Sequence, residues 1–582
     1  MKKTTKRILS LLVATVMSGS LFACNNPTSG TTSTGGNDNS SSGYVDEPVD
    51  TKKYQLHVSN YDGGYGSDWL YAVKERYEKL HENDVYEGGK VGIQIRIEPI
   101  DAKAGELVDS ILGGVEDVYF SEYAYYYDLQ AKGVLADITD VVEADLSVYD
   151  QRDAVGTTIK DKLTEQQNAY YNINGKYYGI PHYAGYMGLT YNRRLFNNNN
   201  WYFAANPVGN TLQGKFITSA NPTKSNGPDG LAGTYDDGLP ATYEEFFELC
   251  EWIYQGNETP VMVHGNGYKE YMSGLLGALN VNHNGLEQGL LNYTFDGVAE
   301  NLVTVDSKGN IIPDGEMTQI SISNGYELTR QAGKIYALQF VQNLLTAENY
   351  GYMNDNFDSP SHSHTSAQRD FIRSEYEGAI AMLVDGIWWQ AEAQKAFSDA
   401  TKEFGSDFSA KGSDFAWMPL PHATSAQVGQ GITLYDSINS ICFMKAGLTG
   451  EKRAVAADFI KFCNTHESLV EFTLITNTPK SMQYTLTADE KKELTPFGRS
   501  IFEIKEQPTT KVLYPYATSS FFKTNQRMIC EIFYSRLDGS TYVHPTEVFV
   551  RADNKKSPAD VFEGMFTYRT SVWSDWMSNV SK

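Results

Sequence analysis

The residues from Asn226 to Gly238 read Asn-Gly-Pro-Asp-Gly-Leu-Ala-Gly-Thr-Tyr-Asp-Asp-Gly, a run with the character of a metal loop. Closely spaced carboxylates between glycine turns suit a hard cation such as Ca²⁺, which takes about 6–8 oxygens at varied angles. Asp229, Asp236 and Asp237 are the expected ligands of a structural Ca²⁺ here, although the spacing is not that of an EF-hand. A polar surface turn is the alternative. His362 and His364 stand in a Ser- and Pro-containing stretch, where solvated imidazoles are expected rather than a metal site. Cys250, Cys442, Cys463 and Cys530 form no CxxC pair and sit among apolar neighbours, as in Ile441-Cys442-Phe443. Buried free thiols are the expectation, with one disulfide left open. The chain contains no G-x-S-x-G, no H-E-x-x-H, no P-loop and no dinucleotide fingerprint. A carboxylate pair for glycoside hydrolysis would pair in space rather than along the chain, and nothing singles one out. No catalytic residue and no required cofactor are therefore predicted.

The remaining thiol, Cys24, has different company. Lys2, Lys3, Lys6 and Arg7 form a basic start, and Ile8 to Met17 is an apolar stretch too short to span a bilayer. Leu21-Phe22-Ala23-Cys24 closes it and resembles a bacterial lipobox, in which the cysteine takes a diacylglycerol before cleavage. Residues 1–23 are read as a signal peptide and Cys24 as the lipidation site. Residues 24–51 then form a tether, because a stretch dominated by Ser, Thr, Gly and Asn cannot bury enough apolar surface to offset its chain entropy. Such a leash spans roughly 30 Å. The expected location is the extracellular face of the cell membrane, held by lipid.

These residues need a body to position them. The 582-residue chain has 72 acidic and 48 basic side chains, a formal charge of −24. That balance offers no basic face for nucleic acid. Hydrophobic residues make up 41%, enough for a sizeable core, and the mean hydropathy of −0.41 with no apolar run of ~18 residues excludes a polytopic membrane protein. Tyr54, Leu56 and Val58 alternate with polar residues as a strand, followed by a glycine-rich turn over 60–66. Ser67 is placed to cap a helix carrying Trp69, Leu70, Val73, Tyr77 and Leu80 at helical spacing. Val91, Ile93, Ile95 and Ile97 predict a second strand, then a helix over about 102–112 and a short strand at Asp117–Phe120. Thr242 and Glu245 fit a capping box, and Arg453 to Cys463 reads as an amphipathic helix after an apolar strand from Ile438. This alternation predicts an α/β fold with an open, largely parallel sheet, whose ligands collect at the carboxyl ends of strands.

Five ordered segments carry a family resemblance. They are Leu56 to Trp69; Asp117-Val118-Tyr119-Phe120 with Gly133 to Thr139; Tyr178-Gly179-Ile180-Pro181 with Gly188 to Leu195; Gly378 to Met382 running into Asp385-Gly386-Ile387-Trp388; and Ile438 to Phe472. Together they resemble the bacterial extracellular solute-binding proteins of family 1, the carbohydrate-binding lipoproteins that serve ABC importers and include the maltose-binding type. The resemblance implies a two-lobed, hinged periplasmic-binding-protein-like fold (type II) with the ligand in the cleft. Its lobes would be residues 52–183 plus 437–490 and residues 184–436 plus 491–582.

The resemblance also implies binding residues. Trp388 matches a position whose ring stacks on a pyranose, while the adjacent Trp389 is expected to be structural. Asp62 matches a carboxylate that accepts sugar hydroxyls. Tyr183 and Tyr186 flank a segment that enters the cleft, but Gly185 stands where an acidic ligand residue is aligned, which puts maltodextrin specificity in doubt. Ser121 replaces a stacking Trp, and Glu122 and Tyr123 are the expected substitutes. Phe522 lies in a segment that supplies another stacking ring, and Trp69 lines the cleft or packs beneath it. The implied function is capture of a carbohydrate, an oligosaccharide, by cleft closure and delivery to ABC permease subunits, by a monomer that makes and breaks no bond. A glycan-active surface enzyme (hydrolase or lyase) and a static glycan- or peptide-binding adhesin are the alternatives.

Overall fold

The computed structural model describes residues 47–61, 63–100, 107–122, 125–257, 262–263, 269–306, 308–346, 352–353, 361–374, 379–525, 544–550 and 555–580. Cys24, Asp62, Tyr123 and Cys530 lie outside the described residues. Nine strands build the two main sheets. In chain order they are β1 (Tyr54–Tyr61), β2 (Ile93–Ile100), β3 (Val118–Ser121), β4 (Ile180–Pro181), β5 (Met187–Asn192), β6 (Met262–Val263), β7 (Met382–Gly386), β8 (Phe415–Met418) and β9 (Ile441–Met444).

The first sheet has the order β2-β1-β3-β9-β4. β1 runs parallel to β2, from Tyr54 opposite Ile93 to Tyr61 opposite Ile100, and parallel to β3 on its other side. β9 joins antiparallel to both β3 and β4, which brings a strand from late in the chain into the middle of the sheet. Helices α1 (Asp68–Leu80), α6 (Gly450–Cys463) and α7 (His466–Thr476) pack on it, with Leu56, Val58, Leu70, Phe459 and Phe472 buried between. Helix α2 (Glu165–Tyr171) begins in a capping box, Thr164 and Gln167 exchanging bonds with each other's backbone. Ser67 does not cap α1; its hydroxyl accepts from the Asn60 side chain at 3.0 Å, tying the glycine-rich turn to the end of β1. The helix expected over 102–112 is described from Leu107 to Gly113.

The second sheet runs β6-β7-β5-β8 and differs from the expected parallel pattern. Only β6 and β7 are parallel; β7 and β8 both flank β5 antiparallel. The cause is the direction of entry: β5 arrives straight from the first lobe, so it does not follow a helical crossover within its own sheet. Helix α3 (Lys269–Thr294), α4 (His364–Ile372) and the short α5 (Trp389–Glu392) surround it, and α8 (Ser520–Thr524) packs in a separate aromatic cluster. Thr242 accepts from the Glu245 amide, as the capping box requires, while the Glu245 carboxylate reaches the Ala241 amide.

Between the sheets the chain crosses near residues 182–186, near 436–440 and again after 478, and the crossings are bonded to one another. The Ser440 hydroxyl accepts from the Tyr183 amide at 2.9 Å and donates to the Tyr183 carbonyl at 2.8 Å. Ser437 N–H donates to the Gly185 carbonyl at 2.9 Å, and Ala184 N–H to that of Pro479 at 3.2 Å. At Gly185 a Cβ would meet Ile438 Cγ1 at 2.5 Å, so close approach of two crossing segments dictates glycine there. Cys250, Cys442 and Cys463 are buried and free. Among the described residues no helix is long and apolar enough to cross a membrane.

Candidate functional site

Trp388 closes the turn between β7 and α5, and its ring reaches the other lobe. A Cβ built on Gly64, in the turn after β1, would lie 2.7 Å from Trp388 Cδ1, so only a glycine lets the ring sit there. Trp388 Nε1–H points at the Tyr271 hydroxyl, 3.4 Å away, and the Tyr271 ring stacks on His364 with centroids 5.5 Å apart. A polar network supports this turn from behind. The Gln368 amide donates to Asp385 Oδ2 (3.0 Å) and Glu392 Oε2 (2.7 Å), and His364 Nε2 lies 3.1 Å from Glu392 Oε1. Burial, with the Glu392 charge beside it, pushes the Asp385 carboxyl up to about 8. Trp389 turns the opposite way and is enclosed by Phe371, Phe397, Phe415 and Phe497.

A second junction between the lobes is built from tyrosines. Tyr170 of α2 stacks on Tyr516 with centroids 4.5 Å apart and planes 13° apart, and Tyr514 lies parallel to Tyr516 at 5.3 Å. Beside them Gln166 donates to the Val512 carbonyl at 3.0 Å and accepts from the Tyr514 amide at 3.2 Å. Lys523 Nζ sits 5.5 Å from the centre of the Tyr127 ring, a third contact from the second lobe to the first. Sequence reasoning missed Tyr170, Tyr271, Tyr514 and Tyr516. Tyr170 meets Tyr516 and Tyr271 meets Trp388 only through the tertiary fold, and only the wealth of Tyr in the composition hinted at them.

The expected site residues fall in different places. Trp388 stands between the lobes, as just described. Tyr183 packs on Tyr65 at 4.3 Å, beside the hinge, and the Tyr65 hydroxyl donates to the Ala184 carbonyl at 2.6 Å. Tyr186 opens the second lobe opposite Asp436, its buried hydroxyl without a hydrogen-bond partner among the described residues. Glu122 is 8% exposed at the end of β3, with its charge acting on Tyr65. Trp69 packs beneath the cleft rather than along it: it is 1% exposed and touches Phe120, Phe472 and His182. Phe522 stacks on Phe295 at 5.0 Å inside the C-terminal aromatic cluster, so its ring fills the second lobe's core.

The Asp-rich loop is held by its own backbone. Asp229 Oδ1 accepts from Leu231 N–H, Asp236 Oδ2 from Asp229 N–H, and Asp237 Oδ2 from Gly233 N–H. Burial pushes the Asp236 carboxyl up to about 6. Among the described residues no group of three or more His, Cys, Asp or Glu is placed to hold a metal ion. The Thr234 hydroxyl donates to Asp236 Oδ1 at 2.8 Å, and Asp229 Oδ2 is buried with no hydrogen-bond partner among the described residues.

Two α/β bodies joined by bonded crossing segments, with aromatic rings meeting between them, define a two-lobed binding protein of the periplasmic type. The chain belongs to the bacterial extracellular solute-binding proteins, whose family model matches residues 84–490. No curated protein sequence matches it. Among solved structures it is similar to a chitin oligosaccharide binding protein (15% identity, TM-score 0.50, 91% of this chain and 100% of the other). It is also similar to T. maritima MalE3 with bound maltose (13%, 0.50, 89% and 100%). UgpB from Mycobacterium tuberculosis in complex with glycerophosphocholine aligns comparably (13%, 0.50, 90% and 99%). At these identities the likeness is one of fold.

Proposed function

We propose that this solute-binding protein captures a carbohydrate, an oligosaccharide, between its lobes and delivers it unaltered to the permease subunits of an ABC importer. The observation that carries the reading is Trp388: a large ring on the second lobe, 4% exposed, packs against the glycine-rich turn of the first, so that parting the lobes would uncover an aromatic surface for a sugar's C–H face. Tyr170, Tyr514 and Tyr516 add a cluster of stacked rings at the second junction between the lobes. Two of the similar structures are a maltose-bound protein and a chitin oligosaccharide binding protein, in keeping with this class. Ligand contacts both lobes, binds the closed form better and shifts the population toward it. Lipidation of Cys24 and the Ser/Thr/Gly/Asn tether would keep this body beside the membrane on the outer face.

A thermal-shift screen against mono- and oligosaccharides tests the reading, with recovery of the bound sugar by mass analysis. A ligand at 100 times its Kd adds about 2.7 kcal/mol of stability. The expected result is a raised Tm with one oligosaccharide family and its return uncleaved; cleavage products would instead establish an enzyme, and no shift with any sugar would remove the carbohydrate assignment.

A further inference from the structure

Asp436 occupies a position that the capture of a solute does not explain. It lies on a crossing segment, is 1% exposed, and is surrounded from both lobes. Its Oδ1 accepts from the Gly185 amide of the neighbouring crossing at 3.0 Å and from Ile438 N–H at 3.4 Å. Its own N–H donates to the Leu513 carbonyl at 3.0 Å. Ser481 of the first lobe hydrogen-bonds the carboxyl. The titratable groups facing it are hydroxyls: Tyr65 from the first lobe, and Tyr186, Tyr435, Tyr514 and Tyr516 from the second. Glu122 reaches the same hollow through Tyr65. Lys480 and His182, on the flanking crossings, are turned to each other at 2.6 Å, with the Lys480 amine over the rings of Trp69 and Phe472. Among the described residues no lysine, arginine or histidine contributes to the charge balance of Asp436.

We propose that Asp436 is a proton-linked latch of the hinge: its neutral carboxyl belongs to the closed arrangement of the lobes, and its ionisation favours opening. The physical basis is the change in its surroundings. In this structure, taken as the closed arrangement, Tyr65 and Ser481 of one lobe and Tyr514 and Tyr516 of the other surround the carboxyl, which is 1% exposed. Hinge opening separates those walls and hydrates it, and hydration stabilises the charged form. Burial holds the closed-state carboxyl up at about 7, against an ordinary value of about 4. A pKa raised in the closed form means that the closed form binds the proton more tightly. Its favourable contribution to closure is complete below about pH 4 and is lost as pH rises through about 7, by up to about tenfold per unit between the two values. Above that range the contribution is gone and the equilibrium is flat. The latch regulates the proposed cleft and rests on that reading only for its biological consequence, weaker solute capture as pH rises.

The test needs no ligand, so its outcome is separable from that of the sugar screen. Small-angle scattering of the unliganded full chain between pH 5 and 9 reads lobe separation directly. The wild-type radius of gyration is expected to rise with pH to a plateau above about 7, while Asp436→Asn, which keeps the acceptor for Gly185 N–H, stays compact throughout. A wild-type radius independent of pH, or one that rises equally in Asp436→Asn, overturns the proposal. Should the variant not fold, the wild-type curve decides alone.

Discussion

Lys480 and Trp388 show how much a single side chain depends on what encloses it. The Lys480 amine lies 4.6 Å from the Trp69 ring centre and 4.5 Å from that of Phe472, and burial depresses its pKa to about 7. An amine whose folded pKa is depressed contributes its full stability above its unfolded value of about 10.4, and loses it as pH falls toward about 7. The wild-type Tm is therefore expected to gain a component between pH 7 and 10 that Lys480→Met lacks; parallel melting curves for the two across that window would refute this. Trp388→Ala should weaken binding of the screened sugar about tenfold or more, since aromatic contacts are worth about 0.5–1.5 kcal/mol beyond their buried area. Unchanged affinity, measured by calorimetry, would mean the ring serves only to pack against Gly64.

The elements that bring these side chains together are turns and crossings. The turn after β1 must pass under Trp388, and the crossing at Gly185 must pass against Ile438; in both places a Cβ has no room. The two glycines should nevertheless respond differently. Gly64→Ala pushes on a ring of the opposite lobe, so it is expected to hinder closure: weaker ligand affinity, with the unliganded Tm nearly unchanged. Gly185→Ala pushes on the neighbouring crossing segment at Ile438 within the hinge itself and should lower the unliganded Tm, at a cost of about 1–3 kcal/mol typical of overpacking. Chemical denaturation of both variants, alongside ligand titration, separates these cases. Gly185 also accounts for a departure noted in the sequence: an acidic ligand side chain at that position would collide with Ile438.

For the molecule as a whole, the arrangement predicts a solute-driven change in shape. The lobes meet at Gly64 and Trp388, at Tyr170 and Tyr516, and at Tyr127 and Lys523, and a ligand bridging them should hold them there. The radius of gyration at pH 8, where the Asp436 latch is released, is expected to fall on adding the sugar identified by thermal shift. An unchanged radius in the presence of saturating ligand would point to a static binding surface.

Much of this was legible without coordinates. The period-two strand at Tyr54 to Val58, the helical spacing of Trp69, Leu70, Val73 and Tyr77, the apolar setting of Cys250, Cys442 and Cys463, and the ordered segments ending at Asp385-Gly386-Ile387-Trp388 are local patterns. Each follows from how neighbouring residues must face once a strand or helix forms. Tertiary structure decided which face found which partner. It turned Trp69 and Phe522 into core, set β5 antiparallel to β7 and β8, set the carboxylates of Asp229, Asp236 and Asp237 among loop amides and the Thr234 hydroxyl, and brought Tyr170 to Tyr516 and Asp436 to Gly185. These outcomes depend on contacts between distant parts of the chain, where burial and the direction of entry of each segment decide the pairing and nearby residues carry no record of it.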